Sequence, residues 1–223
     1  MLSRPARRAC AALVVVLGLT LPNHAPAAPR LFDAAVPELA ADVALPRWER
    51  ARTALVRDGR RLDACLADAA ACGGPRRTAW RELVLALRTE APHAQLEAVN
   101  RFVNGVPYAR DRARHGVRDF WAGPWGFLAG AGDCEDYAIA KYATLARLGV
   151  PVRDMRILVV EDVRRGLAHA VLAVRTASGV RLLDNQSDRL LDAARDRRYA
   201  PYYAVNEHER WLYRLPERAA AAP

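Results

Sequence analysis

Apolar residues recur along this chain with two different periods, and the change between them falls just past its middle. Trp48, Ala51 and Leu55, then Leu62, Cys65, Leu66 and Ala69, follow helical spacing on either side of Asp58-Gly59, which predicts two short helices over 48–71. Gly73-Gly74-Pro75 interrupts the pattern. Trp80, Leu83, Val84 and Leu87 predict an amphipathic helix over 77–89. Leu96, Val99, Phe102 and Val103 predict another over 93–104, with Pro92 where a first-turn proline is tolerated. Residues 29–45 give only a weak helical signal. Residues 105–132 are rich in glycine and aromatic residues and have no period, which predicts a long loop of the kind that tends to carry function. In the next helix Ala138, Ile139, Tyr142, Leu145 and Ala146 share one face, Asp133 suits the N-cap, and Gly149 and Pro151 end it. The period then shortens. Strands are predicted over 154–161, 168–175 and 179–184, with turns at Arg164-Arg165-Gly166 and Ser178-Gly179, and a last one over 210–215 in an aromatic-rich tail. Helices followed by an antiparallel meander give an α+β fold.

The first residues carry a different message. Arg4, Arg7 and Arg8 precede an apolar run over 9–21 and then Ala25-Pro26-Ala27, the layout of a secretory signal with an A-x-A cleavage site. Cleavage after Ala27 leaves one domain over 28–223. The apolar run is too short to span a bilayer, so an integral membrane protein is not expected. Cys10 lies before the run rather than after it, which does not fit a lipoprotein. The formal charge is +9, and three of those charges leave with the leader. What remains is spread along the chain and almost wholly arginine, Lys141 being the only lysine. Without a lysine stripe, zinc-finger spacing or an RNA-binding aromatic motif, no nucleic-acid partner is expected.

Export changes how the cysteines read. Once Cys10 is removed with the leader, Cys65, Cys72 and Cys134 remain, an odd number in an oxidising compartment. Cys65 and Cys72 are close enough to close a small disulfide loop worth about 2–3 kcal/mol, and equally compatible with two buried thiols. Cys134 is left over in either case. It lies in the first turn of its helix, after Ala129-Gly130-Ala131-Gly132-Asp133. A helix N-terminus favours thiolate, its N–H groups can serve an oxyanion, and the glycines would let a substrate backbone approach. His169 is a polar residue in the otherwise apolar run 167–174 and needs a hydrogen-bond partner if buried. Asp184 ends the following strand. Cysteine on a helix, histidine on a strand and aspartate on the next make the order of a Cys-His-Asp triad. Asp133, Glu135 and Asp136 crowd the nucleophile with like charge. They read either as acids complementing a helix N-terminus or as oxygen ligands of a hard cation.

Gly-Asp-Cys-Glu-Asp-Tyr-Ala-Ile-Ala-Lys-Tyr, with His169-Ala170-Val171-Leu172 and Leu183-Asp184-Asn185, resembles the transglutaminase-like, papain-like fold. Within it the chain is similar to the bacterial transglutaminase-like cysteine proteinases of LapG type. The resemblance covers 97–215 and includes Asp119-Phe120-Trp121-Ala122-Gly123-Pro124. It implies a periplasmic, calcium-dependent protease that cleaves the N-terminal region of a large surface adhesin and so disperses a biofilm. It also implies an inner-membrane cyclic-di-GMP receptor that sequesters the enzyme. On that pattern Cys134, His169 and Asp184 are the triad. Asp133, Glu135 and Asp136 are calcium ligands, with further oxygens from residues such as Asp119. Trp121 or Trp125 would engage the receptor. Acyl transfer to an amine by the same triad and a binding module with a decayed site are the competing readings. His93, His115 and His208 read as surface residues, Tyr137 and Tyr142 as core, and Asn100 and Asn104 as helix positions without a role.

Overall fold

A computed structural model describes residues 45–213, so the leader, the 29–44 segment and the end of the chain lie outside the described residues. Among the described residues six helices come first: α1 (Pro46–Ala67), α2 (Pro75–Leu87), α3 (Pro92–Asn104), α4 (Asp111–His115), α5 (Pro124–Ala129) and α6 (Cys134–Arg147). Six strands follow: β1 (Met155–Asp162), β2 (Leu167–Thr176), β3 (Gly179–Asp184), β4 (Ser187–Asp192), β5 (Tyr199–Val205) and β6 (Arg210–Leu212). α1, α2, α3 and α5 each carry proline in the first turn, where its missing N–H costs nothing.

The two short helices expected over 48–71 are one helix, α1, with a 3-10 turn at Ala69–Cys72 behind it. Asp58-Gly59 does not break it because both residues serve packing. Asp58 is buried and accepts from Arg57 Nε at 2.9 Å and from the Trp125 N–H at 3.3 Å. Arg147 donates to the Gly59 carbonyl at 2.9 Å, and a β-carbon on Gly59 would meet that guanidinium at 3.2 Å. Cys65 and Cys72 form a disulfide with a Cα–Cα distance of 4.5 Å. Replacing both by alanine is expected to lower stability by about 2–3 kcal/mol in urea unfolding. A change below about 0.5 kcal/mol would show that the loop is held without it.

The sheet is antiparallel throughout, in the order β4-β3-β2-β1-β5-β6. One face packs on the helices, chiefly α6, through Met155, Ile157, Leu172, Val174, Leu183 and Val205. The other holds a smaller cluster around Leu158, Val160, Val171, Ala173, Leu182 and Tyr213. Two strands are absent from the sequence expectation. β4 is a half-buried edge strand of polar composition, and β5 contains Pro201, which argues against a sheet interior. Pro201 is accommodated because the β1–β5 register shifts there, between Val159 opposite Tyr203 and Val160 opposite Pro201. The supposed loop 105–132 contains α4 and α5.

α6 is enclosed on every side. Glu135 to Leu145 are all buried, including Glu135, Asp136, Lys141 and Thr144. Thr144 Oγ1 accepts from Trp80 Nε1 at 2.9 Å, tying α2 to the back of α6. A central helix with charged groups at its start is what sets the chemistry of the site.

Candidate active site

The turn before α6 is clamped by the segment preceding α4. Tyr108 and Gly132 form a parallel bridge, with the Ala109 N–H donating to the Gly132 carbonyl at 2.8 Å. Glycine at 132 is required by close packing, because a β-carbon there would overlap the Asp136 carboxylate and the Phe127 ring. The approach that glycine permits is therefore to the protein's own side chains. Asp133 is extended (φ −112°, ψ −166°), and Asp136 reaches back to accept from its N–H at 3.3 Å while also accepting from the Ala122 N–H at 2.7 Å.

Cys134 thus opens α6, half-buried and the only free thiol among the described residues. Its Sγ donates to Glu135 Oε2 at 3.0 Å, and the backbone N–H of Ala170, next to His169 on β2, interacts with the sulfur. Burial first, then Glu135 and Asp133, push the thiol pKa upward. The helix N-terminus alone does not make this thiol a thiolate.

His169 is 6% exposed and its Nε2 lies 2.9 Å from Asp184 Oδ1. The pairing of Leu172 with Leu183 brings the end of β3 beside the start of β2, so the two side chains meet across neighbouring strands. Asp184 also accepts from the Gln186 N–H at 3.0 Å and, through Oδ2, from Tyr199 Oη at 2.6 Å. Burial would raise its pKa, but these hydrogen bonds from His169, Tyr199 and Gln186 outweigh it and hold the carboxylate below its ordinary value. Asp184 engages Nε2, which leaves Nδ1 to face a reaction partner. Gln186 Nε2 stands 3.5 Å from Nδ1 and Gln186 Oε1 accepts from Arg165 at 2.7 Å. No hydrogen bond joins Cys134 to His169 among the described residues, a looseness usual before substrate is bound.

Asn100 and Asn104, without a role in the sequence, pin this network from below. Asn100 donates to the Ser187 carbonyl at 2.8 Å, and Asn104 to the carbonyls of Asp184 and Ser187, each at 3.1 Å. Tyr199 and Gln186 were also unforeseen, since nothing in their local pattern marks them. Lys141 is fully buried, and desolvation pushes it down to about 7 against the pull of Asp184 and Asp188.

Beside the thiol the fold gathers five carboxylates. Asp133, Glu135 and Asp136 are joined by Asp111, from the first turn of α4, and by Asp119. Ligand atoms lie within 4.8 Å of one another in the sets Asp111-Asp133-Asp136 and Asp111-Asp119-Glu135. Asp111 was not foreseen; a lone acid in an aperiodic segment carries no signal of its own. Burial and mutual repulsion push Asp133 up to about 8, and burial above all pushes Asp136 up to about 7. Glu135 and Asp111 are also raised, with burial the largest cause. Asp111 Oδ1, Asp119 Oδ1 and Asp133 Oδ1 are buried without a hydrogen-bond partner. Three orphaned carboxylate oxygens in one cluster fit a hard cation that takes oxygen ligands.

The two tryptophans expected at a receptor contact, and one of the three histidines expected at the surface, are placed as follows. Trp121 is 4% exposed and packs edge-on against Trp48 at 6.2 Å, so its ring is core and not available for docking. Trp125 is half-buried under the Arg77 guanidinium, 4.0 Å from its ring centre. His115 is half-buried against Phe120 at 4.3 Å, whereas His93 and His208 are exposed. Tyr137 and Tyr142 lie in the core as expected.

The arrangement has close relatives of known structure. LapG of Legionella pneumophila in its calcium-bound form superposes with a TM-score of 0.60 at 30% identity, covering 74% of this chain and 93% of that one. The EGTA-treated form of the same protein gives 0.57 at 31% identity, covering 74% and 85%. A third LapG structure gives 0.56 at 31% identity, covering 74% and 86%. Comparison with curated proteins yields no match. The family model described as bacterial transglutaminase-like cysteine proteinase matches residues 62–216, which contain the helix-borne cysteine, the whole sheet and all five acids. The chain belongs to the bacterial transglutaminase-like cysteine proteinases, and is therefore a cysteine peptidase of the LapG type.

Proposed function

We propose that the protein is a calcium-dependent endopeptidase working through Cys134, His169 and Asp184. Its substrate on this reading is the N-terminal region of a large surface adhesin, cut in the periplasm so that the adhesin is released and a biofilm disperses. An inner-membrane cyclic-di-GMP receptor would restrain it. The observation that carries the chemistry is the thiol at the start of α6, lying against the Ala170 N–H, next to a histidine whose far nitrogen is held by a buried aspartate. The substrate and receptor rest on the resemblance to the family. No helix among the described residues is long and apolar enough to cross a membrane, which is compatible with that setting.

In this mechanism the Cys134 sulfur attacks the peptide carbonyl as its proton passes to His169 Nδ1. The Cys134 N–H, without an acceptor in the first turn, donates to the oxyanion. His169 then gives the proton to the leaving amine, a thioester forms, and water hydrolyses it with His169 as base. Asp184 fixes the ring and stabilises the imidazolium, and Tyr199 and Gln186 keep Asp184 ionised. Asp111, Asp133, Glu135 and Asp136, with Asp119 beside them, would hold calcium, which when bound supplies the charge that offsets their repulsion and frees the thiol from Glu135.

Incubating the enzyme with the N-terminal region of a large surface protein of the same organism, calcium and a labelled primary amine tests this directly. Mass spectrometry is expected to show two fragments, the upstream one ending in a free carboxylate. An upstream fragment carrying the amine would instead make the enzyme an acyl transferase.

A further inference from the structure

A basin of ≈ 500 Å³ opens between α1, α4 and the 120–126 segment. Its cations come from two sides: Arg50, Arg57 and Arg61 of α1, and Arg114 and His115 of α4. One carboxylate stands among the lining residues, the buried Asp58, and it is already engaged; Asp111 acts on Arg114 and His115 from outside the lining. Arg57 lies 2.9 Å and Arg61 3.9 Å from its Oδ1. Arg50 sits over the Phe120 ring at 5.4 Å, and Arg114 donates to the Gly126 carbonyl at 3.3 Å. Neither arginine forms an ion pair among the described residues. His115 Nε2 is buried without a hydrogen-bond partner. Four guanidinium groups with one carboxylate among the lining residues leave an excess of positive charge that an anion entering the basin would offset.

The spacing of the cations sets the shape of that anion. Arg50, Arg57 and Arg61 recur at i, i+7 and i+11 and so share one face of α1. At about 1.5 Å per residue the row is roughly 16 Å long, too long for one compact ion. It matches about five residues of extended chain at about 3.3 Å each. Guanidinium forks pair carboxylates in parallel, and the Phe120 and Trp125 rings offer an apolar wall for the stems between them. We infer that this basin docks an extended acidic segment of a protein partner. The site stands apart from the catalytic residues but reaches toward them. Arg114 also packs on Gly130, where a β-carbon would come within 2.6 Å of its guanidinium, and Gly130 begins the turn that leads to Cys134.

The test is fluorescence anisotropy of a labelled pentaglutamate peptide with the full chain carrying Cys134→Ala, which removes cleavage from the readout. Binding is expected to weaken about tenfold or more in the double variant Arg50→Glu/Arg61→Glu, whose side chains are exposed and whose fold is checked by circular dichroism. Arg195→Glu, remote in the fold with a side chain 89% exposed, is expected to change it by less than about twofold. Equal weakening by both variants would show a general charge effect and overturn the inference. So would equally tight binding of pentaglutamine, or displacement of the peptide by inorganic phosphate at the peptide's own concentration.

Discussion

Replacing Cys134 with alanine is expected to lower peptide cleavage by roughly three orders of magnitude or more, with folding unimpaired. The thiol is half-buried, its one side-chain partner is Glu135 at 3.0 Å, and its loss opens no core cavity. Removing it therefore removes the nucleophile and little else. His169→Ala is expected to cost about as much, because the thiol pKa is pushed up by burial and by Glu135, so that attack depends on a base to take the proton. Asp184→Asn keeps a hydrogen-bonding shape but removes the charge that stabilises the imidazolium, and its loss should be large though smaller. The measurement is kcat/KM on a cleavable protein fragment, with circular dichroism to verify the fold. A Cys134→Ala enzyme that keeps more than a few per cent of activity would remove this thiol from the mechanism.

Chelation is expected to have the second-largest effect, and its sign with pH can be worked out. Asp133 at about 8 and Asp136 at about 7 lie above the 3.8 of a free aspartate, so the folded chain without metal binds more protons than the unfolded one between those values. Stability without calcium is then present below about pH 4 and is lost as pH rises toward 8. Calcium should reverse that loss, adding about 2.7 kcal/mol when present at a hundred times its dissociation constant. Thermal unfolding across pH 5–8 in chelator and in calcium would show two curves that diverge as pH rises. Alkylation of Cys134 by iodoacetamide at neutral pH should be slow in chelator and fast in calcium, as the thiol escapes Glu135. Coincident melting curves together with equal alkylation rates would exclude a cation at these acids. Asp136→Asn should also blunt the calcium response, and it separates metal binding from a general salt effect.

The order of elements was legible because periodicity is a local property. The apolar faces of α2, α3 and α6 and the alternation of β1 to β3 all lie within single segments, and the structure bears out their type and nearly their limits. Cys134, His169 and Asp184 could be singled out because each breaks its own surroundings: a leftover cysteine after glycines, a histidine in an apolar run, an acid at a strand end. The break at Asp58-Gly59 was misread for the same reason. Whether a glycine ends a helix depends on what packs against it, and Arg147 lies far along the chain.

What the sequence by itself determined is the kind of chemistry: an α+β chain, a cysteine at a helix start and a histidine and aspartate on successive strands. Only the tertiary structure decided which residues support them. Asp111 joins the acids because the 107–109 segment pairs with Gly132, and Tyr199 reaches Asp184 because β5 adds to the sheet beside β1. It also decided that the acids are expensive to ionise, since α6 is buried from Glu135 to Leu145 and burial is the largest cause that raises Asp133 and Asp136. The sequence places three carboxylates beside the nucleophile, Asp133, Glu135 and Asp136. Burial determines that their charges are costly to carry without a compensating partner.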